Sequence, residues 1–296
     1  MANSVQSHRA LFAAADASGR GAASTKPRLA GATDCHLHIF GPPERYPFTP
    51  NRFYTPPEAS LADYDALSTR LGLDRMVIVQ PSVYGMDNRC TLDMCAAAGK
   101  RRARAIVVVD DGVSDSQLSD MNAIGARGIR INALTPAGVP IVKIRSLAER
   151  IAPLGWHLQF WISGSQLVDL SDVIRALPVP AVFDHLGQFS LDGGMSNPQL
   201  VALLRLLKED HCWVKLCGYR VSKKGPPYDD IRAPVEAMIA AAPTRCVWGT
   251  DWPHPHLEGR PYPDVRFLLD LVGDWAGDEA QRKRILVDNP ARLYGF

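Results

Sequence analysis

Short, strongly apolar segments recur along the chain from residue 32 to residue 251, and stretches with helical patterning separate them. Several of them, such as 76–79 and 106–109, are almost continuously hydrophobic and rich in β-branched residues. Such continuity is typical of parallel strands that are covered on both faces. The pattern predicts strands over residues 32–40, 75–80, 104–110, 128–132, 156–162, 181–185, 212–217 and 245–251.

Helix start and stop signals lie between these strands. A helix predicted over 60–71 begins with a serine and ends before a glycine, and one over 143–154 also ends before a glycine. A third, over 197–209, begins with Asn-Pro, which is a favoured helix start. Eight alternating strand and helix units predict an α/β fold, a closed (β/α)8 TIM barrel, rather than an open doubly wound sheet.

The composition is that of a soluble protein with a well-buried core: 296 residues, 46% hydrophobic and 22% charged. The formal net charge is only +2, and Lys and Arg are spread along the chain, which argues against a nucleic-acid-binding surface. No apolar run approaches the roughly 18 residues of a membrane-spanning helix. We therefore expect a small-molecule partner, with neither nucleic acid nor membrane, and the sequence leaves homo-oligomer formation open.

The N-terminal segment differs from the rest of the chain. Residues 1–29 are rich in Ala, Ser, Gly and basic residues, so we predict a flexible leader followed by a single (β/α)8 domain over 30–296. The chain has six cysteines and no Cys-x-x-Cys spacing. Several cysteines lie in strand-like runs, which indicates buried reduced thiols and a cytoplasmic protein.

Polar residues stand where the apolar strands end. His36 and His38 alternate on the first strand, so both imidazoles face the same side. His185 ends the sixth predicted strand and Asp251 ends the eighth. In a (β/α)8 barrel the C-terminal strand ends form the active-site rim, so we expect these side chains to converge there and to be catalytic.

Three imidazoles beside a carboxylate support two kinds of hydrolytic chemistry. In the first, the four side chains bind one Zn²⁺ or Mn²⁺ and leave a position for water. In the second, no metal takes part. Asp251 accepts a proton from water, while His36, His38 or His185 polarises a carbonyl and stabilises the oxyanion. The residue types alone leave both open.

Two arginines indicate an acidic substrate. Arg130 lies near the end of the fourth strand, where a buried guanidinium requires a partner, and Arg220 begins the loop after the seventh strand. Either could hold a substrate carboxylate in bidentate geometry or form an ordinary ion pair with a neighbouring Asp or Glu. Further candidates for substrate binding follow the strands: Tyr54, Gln80, Ser82, Trp161, His254 and His256.

Several separated motifs carry a family resemblance. They include Asp-Cys-His-Leu-His-Ile-Phe-Gly-Pro at 34–42, Phe-Asp-His-Leu-Gly at 183–187, Trp-Gly-Thr-Asp-Trp-Pro-His-Pro at 248–255 and Asp-Asn-Pro-Ala-Arg-Leu-Tyr at 288–294. Together they resemble the amidohydrolase superfamily, in the branch of 2-pyrone-4,6-dicarboxylate lactonase and related sugar-lactone hydrolases and isomerases. The resemblance runs from residue 31 to the C-terminus.

The resemblance implies roles for the rim residues. Asp251 would be the general base, and no metal would be required. The lactone carbonyl would be held by His36, His38 and His185. A two-metal amidohydrolase is expected to carry a bridging lysine on the fourth strand, where this chain has Arg130. One divalent metal such as zinc, held by the three histidines and Asp251, remains open.

The same resemblance implies that Arg130 and Arg220 bind a substrate carboxylate, with Tyr54 nearby. The pyrone lactonase pattern has a further Arg where this chain has residues 133–137, and an Asn where it has His256. A second substrate carboxylate would therefore be poorly held. This departure favours a lactone that carries one carboxylate.

These observations together predict a catabolic hydrolase that opens an acidic lactone derived from sugar acids or aromatic compounds. Two enzymatic alternatives use the same scaffold: a lactone isomerase, and a zinc-dependent decarboxylase of the same superfamily. A non-catalytic acid-binding protein is the alternative from another class, because a fold does not fix a function.

Overall fold

The computed structural model describes residues 26–134, 140–257 and 259–296. Within these residues a single sheet of parallel strands follows chain order from the first strand to the eighth, with helices between them. The predicted (β/α)8 barrel is therefore confirmed. The strands are β1 (Thr33–Leu37), β2 (Arg75–Val79), β3 (Ala103–Val107), β4 (Ala126–Asn132), β5 (His157–Trp161), β6 (Ala181–Phe183), β7 (Cys212–Lys215) and β8 (Cys246–Val247).

The barrel closes where β1 meets β8 and the loop that follows it. The Cys35 amide donates to the Trp248 carbonyl at 2.9 Å, and the Asp251 amide donates to the His36 carbonyl at 2.7 Å. Gly249 makes this approach feasible, because a Cβ there would lie 2.6 Å from the backbone nitrogen of His36. A glycine at this junction therefore allows the end of β8 to lie against the histidines of β1.

Helices cover the outside of the barrel, and their termini follow the predicted signals. Ser60 and Asp63 form a reciprocal capping box at the start of the first helix, which ends at Gly72 in the left-handed conformation. The helices are α1 (Leu61–Leu71), α2 (Arg89–Ala98), α3 (Asp115–Ile124), α4 (Ile144–Ile151), α5 (Gly164–Asp169), α6 (Ser171–Arg175), α7 (Pro198–Leu206), α8 (Arg232–Ala241), α9 (Val265–Ala276), α10 (Glu279–Lys283) and α11 (Asn289–Tyr294).

One strand and one helix end earlier in the chain than their apolar patterns predict. The strand predicted over 245–251 is regular only over Cys246–Val247, and the helix predicted over 143–154 ends as α4 and continues as a short 3₁₀ turn, Ala152–Leu154. Beyond β8 the chain turns into the rim, where Asp251 has a φ of 59°. The apolar pattern continues there because the loop after β8 is buried, although it joins β1 only through isolated contacts such as the bridge between Leu37 and Trp252.

The core forms two layers. A large cluster fills the space between the strands and the helices. A smaller one fills the barrel interior and includes Val77, Ile106 and Trp213 together with Tyr294 of α11. Because the Tyr294 carbonyl also accepts from the side chain of Arg104 near the start of β3, the C-terminal helix lies against the N-terminal end of the barrel. The opposite end is left for the polar rim.

Residues 1–25 of the predicted leader lie outside the described residues. Lys26 contacts the barrel, donating to the Asp270 carbonyl at 2.9 Å. All six cysteines are buried and free, as predicted for reduced thiols. No helix in the described part of the chain has the length and apolar character needed to cross a membrane.

Candidate active site

The four predicted rim residues converge at the C-terminal end of the barrel. His36 lies on β1 and His38 directly after it, with ring centroids 5.1 Å apart in an edge-to-face arrangement. His185, in the turn after β6, lies 4.7 Å from His36 between ring centroids. Asp251 follows β8, and its carboxylate faces both histidines of β1. All four side chains are buried.

The two oxygens of Asp251 have different surroundings. Oδ2 accepts from the Tyr219 hydroxyl at 2.6 Å and from Nε of Arg220. Oδ1 has no hydrogen-bond partner among the described residues, although it lies 3.6 Å from Nε2 of His36 and 3.4 Å from Nε2 of His38. One oxygen is thus anchored and the other faces the imidazoles.

The electrostatics keep the carboxylate charged and the imidazoles neutral. Burial would raise the pKa of Asp251, but the nearby guanidinium of Arg220 and the other polar groups around the carboxylate together outweigh burial and hold that pKa well below its usual range. Burial lowers the pKa of His36 well below its ordinary value, and it lowers that of His185 to about 4. The pKa of His38 is also lowered by burial. The site therefore presents a carboxylate base beside neutral rings at pH 7.

A second polar layer lies below this site and centres on Asp184. Its Oδ2 accepts from Nε2 of Gln159 at 3.1 Å and from Nε of Arg130 at 3.3 Å. Its Oδ1 lies 3.2 Å from Nδ1 of His36 and 3.5 Å from Nζ of Lys215. Burial would raise the pKa of Asp184, but the neighbouring His36 and Lys215 hold it well below its usual range. Asp184 therefore connects His36 to Arg130.

Both predicted substrate arginines have carboxylate partners within the chain. Besides Asp184, Arg130 donates to the Gln80 carbonyl at 3.1 Å and lies 5.0 Å from the ring centroid of Trp161. Arg220 pairs with Asp251 and also donates to the Pro255 carbonyl at 2.8 Å. The ion pairs considered as alternatives in the sequence are thus present. Each guanidinium still lines the cleft, so substrate binding by either remains a prediction.

A narrow cleft of about 30 Å³ opens above the site. It brings together most of the residues predicted to bind substrate, and the Tyr54 ring closes one side by stacking on His256 at 5.6 Å between centroids. The residues that line the cleft are His38, Phe53, Tyr54, Ser82, Arg130, Trp161, His185, Arg220, Asp251, Pro255 and His256.

Two predicted substrate-binding residues lie outside this cleft. The Gln80 amide is fully buried and is used by the loop after β2, donating to the Gly85 and Asp87 carbonyls and accepting from Thr91. His254 lines a neighbouring cavity of about 160 Å³ on the far side of the Tyr54 ring. Hydrogen bonding and loop direction therefore place both side chains away from the cleft in this structure.

Comparison with known proteins decides the family. The family model described as Amidohydrolase matches residues 33–296. The chain belongs to the amidohydrolase family. It is 38% identical over 271 residues to 4-sulfomuconolactone hydrolase of Rhizobium radiobacter, covering 90% of each chain. It is 36% identical over 285 residues to 2-pyrone-4,6-dicarboxylate hydrolase of Comamonas testosteroni, covering 91% of this chain and 93% of that protein.

Other relatives extend the range of reactions within the family. D-galactarolactone isomerase of Agrobacterium fabrum is 34% identical over 268 residues, covering 89% of this chain and 91% of that protein. A crystal structure of an Agrobacterium tumefaciens protein superposes with a TM-score of 0.83 at 34% identity, covering 91% of this chain and 97% of that one. The resemblance stated from the motifs is thus confirmed.

The donor set of this amidohydrolase fits one divalent metal. The ligand atoms of His36, His38 and Asp251 lie within 4.8 Å of one another, and Nε2 of His36 and Oδ1 of Asp251 have no hydrogen-bond partner among the described residues. Two imidazoles and a carboxylate are ligands that zinc accepts. A second metal would meet the positive charges of Lys215 and Arg130, which already surround Asp184.

Four residues of the site escaped sequence reasoning: Asp184, Gln159, Lys215 and Tyr219. Lys215 ends the otherwise apolar β7, two residues after Trp213, whose side chain lies in the barrel interior. Alternation therefore places Lys215 in the interior as well, and this signal was available from the sequence. No comparable signal exists for Tyr219, because its contact with Asp251 joins two different loops.

Proposed function

We propose that this amidohydrolase hydrolyses a lactone that carries one carboxylate. The proposal rests mainly on the free oxygen Oδ1 of Asp251, which is buried beside two imidazoles at the base of the cleft. A carboxylate in this position suits a general base acting on water. Relatives named as lactone hydrolases, at 36% and 38% identity, support the same reaction class.

The charge of the cleft supports a substrate with a single negative charge. Arg130 and Arg220 line it with two positive charges, and Asp251 contributes one negative charge, which leaves a net charge of +1. Below the cleft, Asp184 and Lys215 offset each other. A monoanionic lactone would make the cleft neutral, whereas a dicarboxylate would leave one charge unpaired in a buried site.

In the proposed reaction, Asp251 accepts a proton from water as the water oxygen attacks the lactone carbonyl. His36 and His185 surround the position of the developing oxyanion and stabilise it. His38, whose Nδ1 donates to the Val79 carbonyl at 2.7 Å, presents the lone pair of Nε2 to the site and can accept from the attacking water. The ring C–O bond then breaks, and the proton returns to the ring oxygen, which leaves as a hydroxyl. The other proton of the water stays on the new carboxyl group, which ionises at neutral pH and releases it, so the product is a hydroxy acid with one more carboxylate than the substrate.

We propose that this reaction requires no metal. If one is bound, His36, His38 and Asp251 would hold it, and it would supply Lewis-acid polarisation of the carbonyl. A zinc-dependent decarboxylase, the alternative from the same superfamily, would need that metal. Metal content measured on the assayed sample distinguishes these possibilities.

The test is proton release from a panel of acidic lactones by chelator-treated enzyme whose metal content is measured. We expect proton release with lactones that carry one carboxylate, and less or none with their neutral methyl esters. Absence of turnover across the panel by enzyme with and without added zinc would contradict the proposal. Turnover restored only by stoichiometric zinc would contradict its metal-free part.

Lactone isomerisation is the second candidate, and the D-galactarolactone isomerase relative at 34% identity favours it. The same base and imidazoles could move the ring closure from one hydroxyl to another. Isomerisation consumes no water and releases no proton, so product NMR beside the proton assay separates the two. We also propose a cytoplasmic catabolic role, supported by the six free, buried thiols.

A further inference from the structure

The cleft above Asp251 is too small to hold an acidic lactone as it stands. Its volume is about 30 Å³. One water molecule in the liquid takes up about 30 Å³, so the cleft has room for one or two waters, whereas pockets for organic ligands are about ten times larger. A lactone ring with a carboxylate therefore needs space beyond this cleft.

A second cavity lies directly beside the cleft and provides that space. Its volume is about 160 Å³, and it shares Tyr54, Pro255 and His256 with the cleft. The Tyr54 and His256 rings stack with their centroids 5.6 Å apart and their planes 27° apart. These two rings form the partition between the spaces. Rotation of the Tyr54 side chain to another rotamer would join the cleft and the cavity.

The second cavity contains a buried polar side chain that the fold does not use. His254 is 3% exposed, and neither of its ring nitrogens has a hydrogen-bond partner among the described residues. Its ring lies edge-on to those of Tyr219 and Tyr262. Buried polar groups are normally satisfied by protein or by ordered water, so an unsatisfied one requires an explanation. The ring of His254 can make two hydrogen bonds that the described chain does not supply.

The lining of this cavity selects the chemistry of what it can bind. None of the described residues around it is Arg, Lys, Asp or Glu, so an ionised group there would lack a partner of opposite charge. A hydroxyl group can both donate and accept, so it can bond to either nitrogen of His254 whichever one carries the proton. The other lining residues are mostly apolar or aromatic and suit a short carbon chain: Phe40, Tyr54, Pro56, Pro57, Pro253, Pro255 and Leu257.

We propose that the second cavity binds a neutral, hydroxyl-bearing substituent of the substrate, with His254 as its hydrogen-bond partner. The Tyr54 and His256 rings separate when the substituent enters. This inference rests on the proposed lactone hydrolysis and narrows its substrate class. The substrate carries one carboxylate, which faces Arg130 and Arg220, and a hydroxylated carbon chain that extends away from the lactone carbonyl. Lactones of sugar acids combine these two features, whereas a compact pyrone without a side chain does not.

The test compares ligands that differ only in this substituent. Each ligand is a five-membered lactam with one ring carboxylate and either no substituent, a hydroxyethyl group or a propyl group of the same length. The ring amide resists hydrolysis, so calorimetry can measure the Kd of each. We expect the hydroxyethyl ligand to bind the wild type about 2- to 10-fold more tightly than the propyl ligand, which is the gain from one neutral hydrogen bond.

His254→Leu removes the hydrogen-bonding ring and should abolish that preference. His211→Leu is the matched control, because it makes the same substitution just before β7, at the other end of the barrel, and should keep the wild-type preference. An equal preference for the hydroxyethyl ligand in the wild type and in His254→Leu would overturn the inference. So would a wild type that binds the unsubstituted ligand as tightly as the hydroxyethyl one.

A crystal structure of the wild type with the hydroxyethyl lactam tests the site without any variant. The hydroxyl oxygen should lie within about 3.2 Å of a ring nitrogen of His254, with the Tyr54 ring displaced from His256. A hydroxyl directed into solvent, with only water on His254, would overturn the inference.

These measurements separate the inference from the proposed function. Ligands that bind with the expected preference, while no lactone is hydrolysed, would contradict the proposed function and leave the cavity assignment in place. Hydrolysis of the three corresponding lactones with equal kcat/KM would contradict the cavity assignment and leave the proposed function in place. Absence of binding by every lactam would contradict the cavity assignment.

Discussion

Replacing His157 with leucine should remove a defined part of the protein's sensitivity to acid. His157 begins β5 at the N-terminal end of the barrel, away from the rim. It is buried, and neither ring nitrogen has a hydrogen-bond partner among the described residues. Burial lowers its pKa to about 3. The folded protein therefore holds this ring neutral at pH values where the unfolded chain protonates it.

The magnitude follows from proton linkage. The folded pKa lies below the ordinary value, near 6.5, so the unfolded state binds the extra proton and stability falls as the pH falls from 6.5 toward the folded pKa. Between pH 7 and pH 5 one such group costs about 2 kcal/mol. Any folded pKa below about 4.5 gives nearly the same result, because the ring is then neutral in the fold at both pH values.

The assay is urea denaturation of the wild type and His157→Leu at pH 7 and pH 5. We expect the free energy of unfolding of the wild type to fall by about 2 kcal/mol more than that of the variant. Asp34, whose pKa is raised by burial to about 6, responds in the opposite direction but equally in both proteins. Tyr294→Phe alters the ring that contacts His157, at 5.4 Å between centroids, and should keep the wild-type pH dependence. Equal losses in the wild type and His157→Leu would refute the reasoning.

Three further predictions concern the site. Asp251→Asn should lower kcat by at least about 10²-fold, because the general base is lost; circular dichroism should show an intact fold, and near-normal kcat would contradict the role. Arg130→Met should raise KM at least about tenfold for a carboxylate-bearing lactone but not for its methyl ester; an equal effect on both would exclude carboxylate binding. Gly249→Ala places a Cβ 2.6 Å from the His36 backbone. Urea denaturation should therefore show that the free energy of unfolding falls by about 1–3 kcal/mol, and kcat should also fall. An unchanged free energy of unfolding would show that the contact between β1 and the loop after β8 can accommodate the added methyl group.

The sequence by itself determined the fold and the convergence of the rim residues. Eight apolar segments in alternation with helices leave few architectures, and in a parallel barrel every C-terminal strand end lies at the same rim. The sequence alone therefore places His36, His38, His185 and Asp251 together. The strand ends were less accurate, because buried rim loops are as hydrophobic as strands.

Only the tertiary structure decided which polar groups contact each other. Lys215 reaches His36 across the barrel interior, and Arg220 pairs with Asp251 between two loops. Such pairs depend on barrel closure, strand register and loop direction, none of which is encoded in the local pattern of a single segment. Alternation shows that a side chain points into the barrel, but its partner is set by strands far away in sequence. Long-range contacts of this kind govern proton positions and charge balance, and so the chemistry of the site.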